Sequence, residues 1–277
     1  MPSCAHSIEA EDKMIVDSHC HLNMLDLSAY NDDLAGAVNA AKDKGVEYIL
    51  SISVEFQKIA EVVNIAQRFP NVFASVGVHP DEHQGEAIDM QIVKQHAEHK
   101  KVVAIGETGL DYYRQAAGAD MAWQHQRFRE HIALAKSLQK PLIIHTRAAR
   151  EDTLRILQEE QADAIGGVMH CFTEDWAMAK AALDLGFYIS MSGIVTFKNA
   201  TQVQEVALKT PIDRLLIETD APFLTPVPFR GKKPNEPQYV YYVAAFLAEL
   251  KKMSFADMAD KTTENFFNLF KKAAPSL

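Results

Sequence analysis

Val102-Val103-Ala104-Ile105-Gly106-Glu107-Thr108-Gly109-Leu110-Asp111 runs four apolar residues together and follows them with a glycine and a carboxylate. The apolar part is short, β-rich and continuous, not alternating, which suits a strand buried on both faces of a parallel sheet. A carboxylate at that depth is costly unless it is paired or bound to a cation. The same design recurs along the chain. Runs of this kind occupy residues 14–19, 48–54, 72–78, 102–106, 141–145, 167–172, 187–192 and 215–219. Between them lie helical patterns. Asn31-Asp32-Asp33 opens a run of Leu34, Ala37, Val38 and Ala41 that stops at Gly45. Phe56, Ile59, Val62, Val63 and Ala66 recur before Pro70, and Trp123, Phe128, Ile132, Ala135 and Leu138 before Pro141.

Eight strand–helix units predict an α/β chain closed as a (β/α)8 TIM barrel. Residues 14–277 are expected to form a single domain behind a frayed tail at 1–13. The stretch 238–272 is expected to carry the eighth helix plus one or two extra C-terminal helices. A length of 277 residues with 48% hydrophobic content is ordinary for one such barrel. The formal charge of −9 argues against a protein coated in nucleic acid, while leaving room for a basic patch at one mouth. Cys4, Cys20 and Cys171 cannot all pair and match no zinc ribbon. They read as reduced thiols, hence a cytoplasmic protein. The first residues lack the apolar core of a signal peptide. No apolar run approaches the roughly 20 residues of a membrane span.

Placement of the ionisable residues carries the functional information. His19 and His21 end the first run, His79 the third, Glu107 the fourth, His145 the fifth, His170 the sixth and Asp220 the eighth. In a barrel all these points fall at one end, where the βα loops build active sites. Side chains alternate on a strand, so His19 and His21 share a face and can grip one metal. Glu107 has two oxygens with which to bridge two metals. His145 and His170 could each give an imidazole to a second ion, and Asp220 could bind the first and accept a proton from its water. His79 could orient substrate or a ligand, or cap its loop. Glu218 faces inward two residues before Asp220, as a salt-bridge partner or a further metal ligand. His6, His83, His96, His99, His125 and His131 read as surface or packing residues.

These motifs, in order, resemble the TatD family of metal-dependent deoxyribonucleases, within the amidohydrolase-like barrels. The resemblance rests on Asp17 with His19-Cys20-His21, Gly77-Val78-His79-Pro80, Gly106–Asp111, residues 141–147, His170-Cys171-Phe172, Glu218–Leu224 and Asn235-Glu236-Pro237. It covers the chain from about Met14 to the C-terminal helices. It implies a two-metal site, with His19, His21 and Asp220 on one ion, His145 and His170 on the other, and Glu107 bridging. Thr108 stands where the family commonly has isoleucine or a similar residue, a mild departure. The implied activity is phosphodiester hydrolysis by a two-metal mechanism, trimming single-stranded DNA from a 3′ end, with Glu107 and Asp220 catalytic.

Phosphates need cationic or N–H partners. Arg147 and, in the loop after the eighth strand, Arg230 and Lys232 are the candidates beside His79, while Tyr112, Tyr113 and Arg114 after Glu107 could stack on a base or hold a phosphate. Tyr113, Arg114 and Lys233 compete with the reading of a solvated loop. Four imidazoles favour zinc, manganese, nickel or iron over magnesium on ligand softness; the resemblance suggests magnesium. The same metals would also polarise a carbonyl, so amide or aminoacyl-ester hydrolysis is the rival chemistry. A non-enzymatic barrel is the other rival, against which stand six complete ligands.

Overall fold

A computed structural model describes residues 14–82, 87–113, 115–116 and 118–273. The expected tail at 1–13 and Arg114 lie outside the described residues, as do Cys4, His6 and His83. Eight strands pair in parallel and in sequence order: β1 (Ile15–Cys20), β2 (Val46–Ser51), β3 (Val72–Val76), β4 (Val102–Asp111), β5 (Leu142–Arg147), β6 (Gly167–Met169), β7 (Tyr188–Met191) and β8 (Leu215–Ile217). Helices α1 (Leu34–Lys42), α2 (Ile59–Arg68), α3 (Met90–Ala97), α4 (Ala122–Leu138), α5 (Arg150–Glu159), α6 (Trp176–Asp184) and α7 (Thr201–Lys209) connect successive strands. This is a nearly closed TIM barrel. After α8 (Val240–Lys251), the described residues add one α-helix, α9 (Phe255–Leu269), and a 3-10 turn. Among the described residues, no helix is long and apolar enough to cross a membrane.

Several helices start where the sequence offers a side-chain cap. Asp33 accepts the Ala35 N–H ahead of α1, Asp89 the Gln91 N–H ahead of α3, and Asp175 the Met178 N–H ahead of α6. α4 ends at Gln139, left-handed at φ 50°, just before Pro141.

The barrel interior explains the extra helix. One inward layer takes a residue from every strand: Val16, Leu50, Phe73, Val103, Ile143, Val168, Tyr188 and Leu216. Phe266 and Phe270, at the end of α9, pack against this layer with no exposure, so α9 stoppers the bottom of the barrel. The opposite end is left for polar groups.

β4 runs five residues beyond its expected end. The apolar run stops at Gly106, but β5 continues to offer an edge, pairing Gly109 with His145 and Asp111 with Arg147. A side chain at Gly109 would meet the His145 carbonyl oxygen at 2.0 Å, and its φ is +142°, so glycine is required for that approach.

The seam between β1 and β8 is held differently. Cys20 bridges to Ala221, beyond the end of β8. Ser18 Oγ donates to the Ile217 carbonyl at 2.8 Å. Asp17, fully buried, accepts from the Thr219 N–H at 2.9 Å and from Thr219 Oγ1 at 2.6 Å. Burial pushes the Asp17 carboxyl up to about 8, although the donors of Thr219 pull the other way. The seam therefore fixes His19 and His21 against Asp220, whose N–H donates to the His19 carbonyl at 2.9 Å.

Candidate metal centre

His19 on β1 and His21 just beyond it turn their Nε2 atoms to one point, 3.3 Å apart. Asp220 Oδ1 closes the group, 3.2 Å from His21 Nε2 and 3.5 Å from His19 Nε2. Glu107 stands between this group and a second one. Its Oε2 lies 3.4 Å from His19 Nε2. Its Oε1 lies 2.8 Å from His170 Nε2 and 3.0 Å from His145 Nδ1. One carboxylate thus faces the imidazole of β1 with one oxygen and, with the other, those of His145 on β5 and His170 just beyond β6. All six expected ligands are brought together.

The donor set fits metal ions. His19, His21 and Asp220 offer atoms all within 4.8 Å of one another, and so do His19, Glu107 and His170, and His79, Glu107 and His145. The far nitrogens, Nδ1 of both His19 and His21, are buried without a hydrogen-bond partner among the described residues, so the polar contacts of these rings are all made at the shared focus. Burial works against a charge on Glu107, yet His170, His79 and His145 hold its carboxyl well below the usual range. Burial likewise opposes an imidazolium at His170, but Glu107 and Glu218 carry it well above the usual value. The carboxylates demand positive charge here; ions would supply it and displace those protons.

Two further carboxylates stand behind the imidazoles. Asp111, 1% exposed, places Oδ2 3.0 Å from His145 Nε2. Glu218, fully buried, places Oε1 3.2 Å from His170 Nδ1. Each takes the proton-bearing nitrogen of its histidine and leaves the other nitrogen for the centre. Glu218, expected as a possible further ligand, is therefore set behind His170, and it belongs to none of the three donor groups among the described residues.

His79 caps its loop and turns its other nitrogen toward the centre. Its Nδ1 accepts the Asp81 N–H at 3.1 Å, capping the loop. Its Nε2 faces Glu107 Oε1 at 3.5 Å. Burial and the neighbouring His145 push its pKa down to about 3, so the ring is neutral. With Nδ1 accepting, the proton sits on Nε2, and His79 presents a donor to the centre instead of a lone pair.

The cavity over these groups measures about 630 Å³ and is lined by His21, His79, Glu107, His145, His170 and Asp220, with Arg147 and Phe223 also on its wall. Arg147 is exposed, its guanidinium 3.7 Å from the centre of the Tyr113 ring. Tyr112 is elsewhere: its hydroxyl donates to Asp152 at 2.7 Å, sits 2.6 Å from His125 Nε2, and is absent from the lining. Arg230 stacks on Phe197 at 3.7 Å; it, Lys232 and Lys233 are exposed on the loop after β8 and do not line the cavity. A second hollow of about 470 Å³, beside Leu22, Ile65 and Arg68, holds none of the expected site residues.

Sequence reasoning missed the role of Asp111, and of its two readings for His131, surface or packing, the structure shows the second. Asp111 lies four residues after Glu107, on the same face by strand alternation, but a strand expected to end at Gly106 hid that relation. His131 on α4 is fully buried; its Nδ1 donates to the Arg127 carbonyl at 2.8 Å and its Nε2 accepts the Val78 N–H at 3.2 Å, steadying the residue before His79. Burial pushes its pKa from 6.5 down to about 4. Between those values the folded state binds fewer protons than the unfolded one. Stability is therefore complete above 6.5 and drains as pH falls toward about 4, by roughly 3 kcal/mol for this group. Urea unfolding followed from about pH 7.5 to about pH 4.5 should show a shallower loss in His131→Gln than in the wild type. Parallel slopes would remove His131 from the account.

The family model described as TatD related DNase matches residues 16–271 of this chain. The uncharacterised metal-dependent hydrolase YabD of Bacillus subtilis is 45% identical over 259 residues, covering 93% of this chain and 99% of its own. The uncharacterised metal-dependent hydrolase YcfH of Escherichia coli K12 is 44% identical over 256 residues, covering 92% and 95%. Among solved structures, YJJV, a TatD homologue from Escherichia coli K12, superposes with a TM-score of 0.84 at 28% identity, covering 96% of this chain and all of its own.

Proposed function

This chain belongs to the TatD-related DNase family and is a metal-dependent hydrolase, and from that premise we propose that it hydrolyses phosphodiester bonds of DNA with two divalent ions, removing nucleotides from a single-stranded 3′ end. The observation that carries this reading is the disposition of Glu107, one oxygen toward His19 and the other toward His145 and His170. His19, His21 and Asp220 would hold one ion and His145 and His170 the other. Bound there, the ions would acidify water and offset charge on the phosphate under attack.

The protein's own groups do the rest. Asp220 is partly open to the cavity, and its carboxyl is held below the usual range: burial opposes the charge, and His21 and His19 outweigh it. It is placed to take the proton of the attacking water. His79 directs an N–H at a non-bridging phosphate oxygen. Arg147 meets a neighbouring phosphate, with Tyr113 beneath it. Arg230 and Lys232, outside the cavity, serve phosphates further along the strand. Tyr112 acts through its hydrogen bonds, setting the loop that carries Tyr113. The imidazole-rich donor set favours zinc or manganese, and magnesium enters through the family resemblance.

The test is release of label from a 3′-labelled single-stranded oligodeoxynucleotide after chelation and re-addition of Mg²⁺, Mn²⁺ or Zn²⁺. Ion-dependent shortening is the expected result. Bound metal with no shortening under any ion would overturn the nuclease reading and leave cleavage of a carbonyl ester or amide as the chemistry to assay.

A further inference from the structure

The wall of the cavity beyond Asp220 is apolar, and nothing in the hydrolytic chemistry requires it to be. Phe223 is 51% exposed there, a large ring left in water beside a metal ligand. Its ring centre lies 5.9 Å from that of His21, at an interplanar angle of 70°. Met24, Ile194 and Leu224 line the same cavity.

The exposure is enforced by the backbone. The Phe223 N–H donates to the Asp220 carbonyl at 2.9 Å. The fully buried Asn235 side chain donates to the Phe223 carbonyl and, at 2.8 Å, to the Thr219 carbonyl. Leu224 follows at φ +57°, a conformation that leucine adopts only when its surroundings impose it. The backbone at Phe223 is therefore tied down on both sides, with its ring half in solvent. A ring on so anchored a backbone gives up less freedom when a flat partner settles on it than one on a free loop.

The geometry points to Phe223 as a specificity-determining residue, a platform for the base of the nucleotide next to the scissile phosphate. This rests on the phosphodiester reading. A phosphate engaged beside His21 and Asp220 would carry its sugar and base past the neighbouring wall, where the Phe223 ring stands 5.9 Å from that of His21. The opposite side of the cavity carries Arg147, suited to phosphate and not to a base. Stacking on an aromatic face tolerates any base, so the site would select for the presence of a base and not for sequence.

Two oligodeoxynucleotides separate the possibilities, one with an ordinary 3′-terminal nucleotide and one whose terminal residue is abasic. Phe223→Ala should raise KM for the ordinary substrate about tenfold, with kcat little changed, and leave the abasic substrate unaffected. Phe223→Tyr should restore wild-type KM; Phe223→Leu, apolar but unable to stack, should not. Metal content and thermal midpoint serve as controls and should match the wild type, since the ring is half in solvent. Equal effects on both substrates, or none, would overturn the platform while leaving the nuclease intact. A wild type that cleaves neither would overturn the phosphodiester reading itself and the platform with it.

Discussion

Glu107→Gln should lower kcat by about 10³-fold or more and strip the protein of most of its metal while leaving the barrel folded. The substitution keeps the volume and removes the charge. In the native chain the two oxygens of Glu107 meet four imidazoles within 3.5 Å: His19 from one side, His145, His170 and His79 from the other. An amide can face only one of these groups with its oxygen. Its NH2 end would point at ring nitrogens that are needed as acceptors. Both halves of the centre lose their common anionic partner at once, so the defect cannot be confined to one ion. Metal analysis after gel filtration, alongside single-turnover rates, reads both effects. Retention of more than about a tenth of wild-type turnover would show that Glu107 does not join the two halves. Glu107→Ala should match Glu107→Gln in rate, because charge and not bulk is what is lost.

The eight strands and the single mouth were legible because both depend on local pattern. A continuous apolar run needs only its own residues to announce a buried strand, and a histidine or carboxylate at its end needs only the barrel rule to be placed. His19, His21, Glu107, His145, His170 and Asp220 were found this way, and the structure assembles them. What stayed hidden depends on pairing between distant segments. Nothing within residues 102–111 says that β5 will supply an edge as far as Arg147, so the end of β4 was set too early and Asp111 was left without a role. His131 looks like any histidine on a helix until Val78 is seen to need an acceptor. Tyr112 was read by its proximity to Glu107, yet its hydroxyl is committed to Asp152 and His125 on the side of α4 and α5. The basic residues after β8 stood out by composition, but composition carries no direction. Arg230 lies on Phe197 and outside the cavity. The helix-like piece at the C terminus was visible, while its purpose appears only once Phe266 and Phe270 are seen against the inner layer of strand residues.

Asp111→Asn carries the second large effect, through a ring it orients and not through any contact with substrate. Asp111 is a positioning residue: Oδ2 faces His145 Nε2 at 3.0 Å and Oδ1 accepts the Tyr113 N–H at 2.9 Å. An asparagine has one oxygen for these two donors. If the oxygen stays with Tyr113, the amide NH2 meets His145 Nε2 and demands a lone pair there. That moves the ring proton to Nδ1, the nitrogen now 3.0 Å from Glu107 and required for a metal. If the amide flips, its NH2 opposes the Tyr113 N–H and the loop beyond β4 is released. Either arrangement should weaken ion binding at the His145 side by about 10- to 100-fold. Activity should fall in proportion at limiting metal and recover substantially when the ion is raised, a rescue that Glu107→Gln would not show. Calorimetric metal titration distinguishes these outcomes. Unchanged affinity in Asp111→Asn would mean that His145 keeps its tautomer without help, and the carboxylate behind it would then be only a packing residue. Glu218→Gln offers the parallel case on His170, with one difference that sharpens the comparison. Glu218 has a second oxygen without a partner among the described residues, so rotation of the amide can return an oxygen to His170 Nδ1 at less cost. The Asp111 variant should therefore show the larger loss of the two.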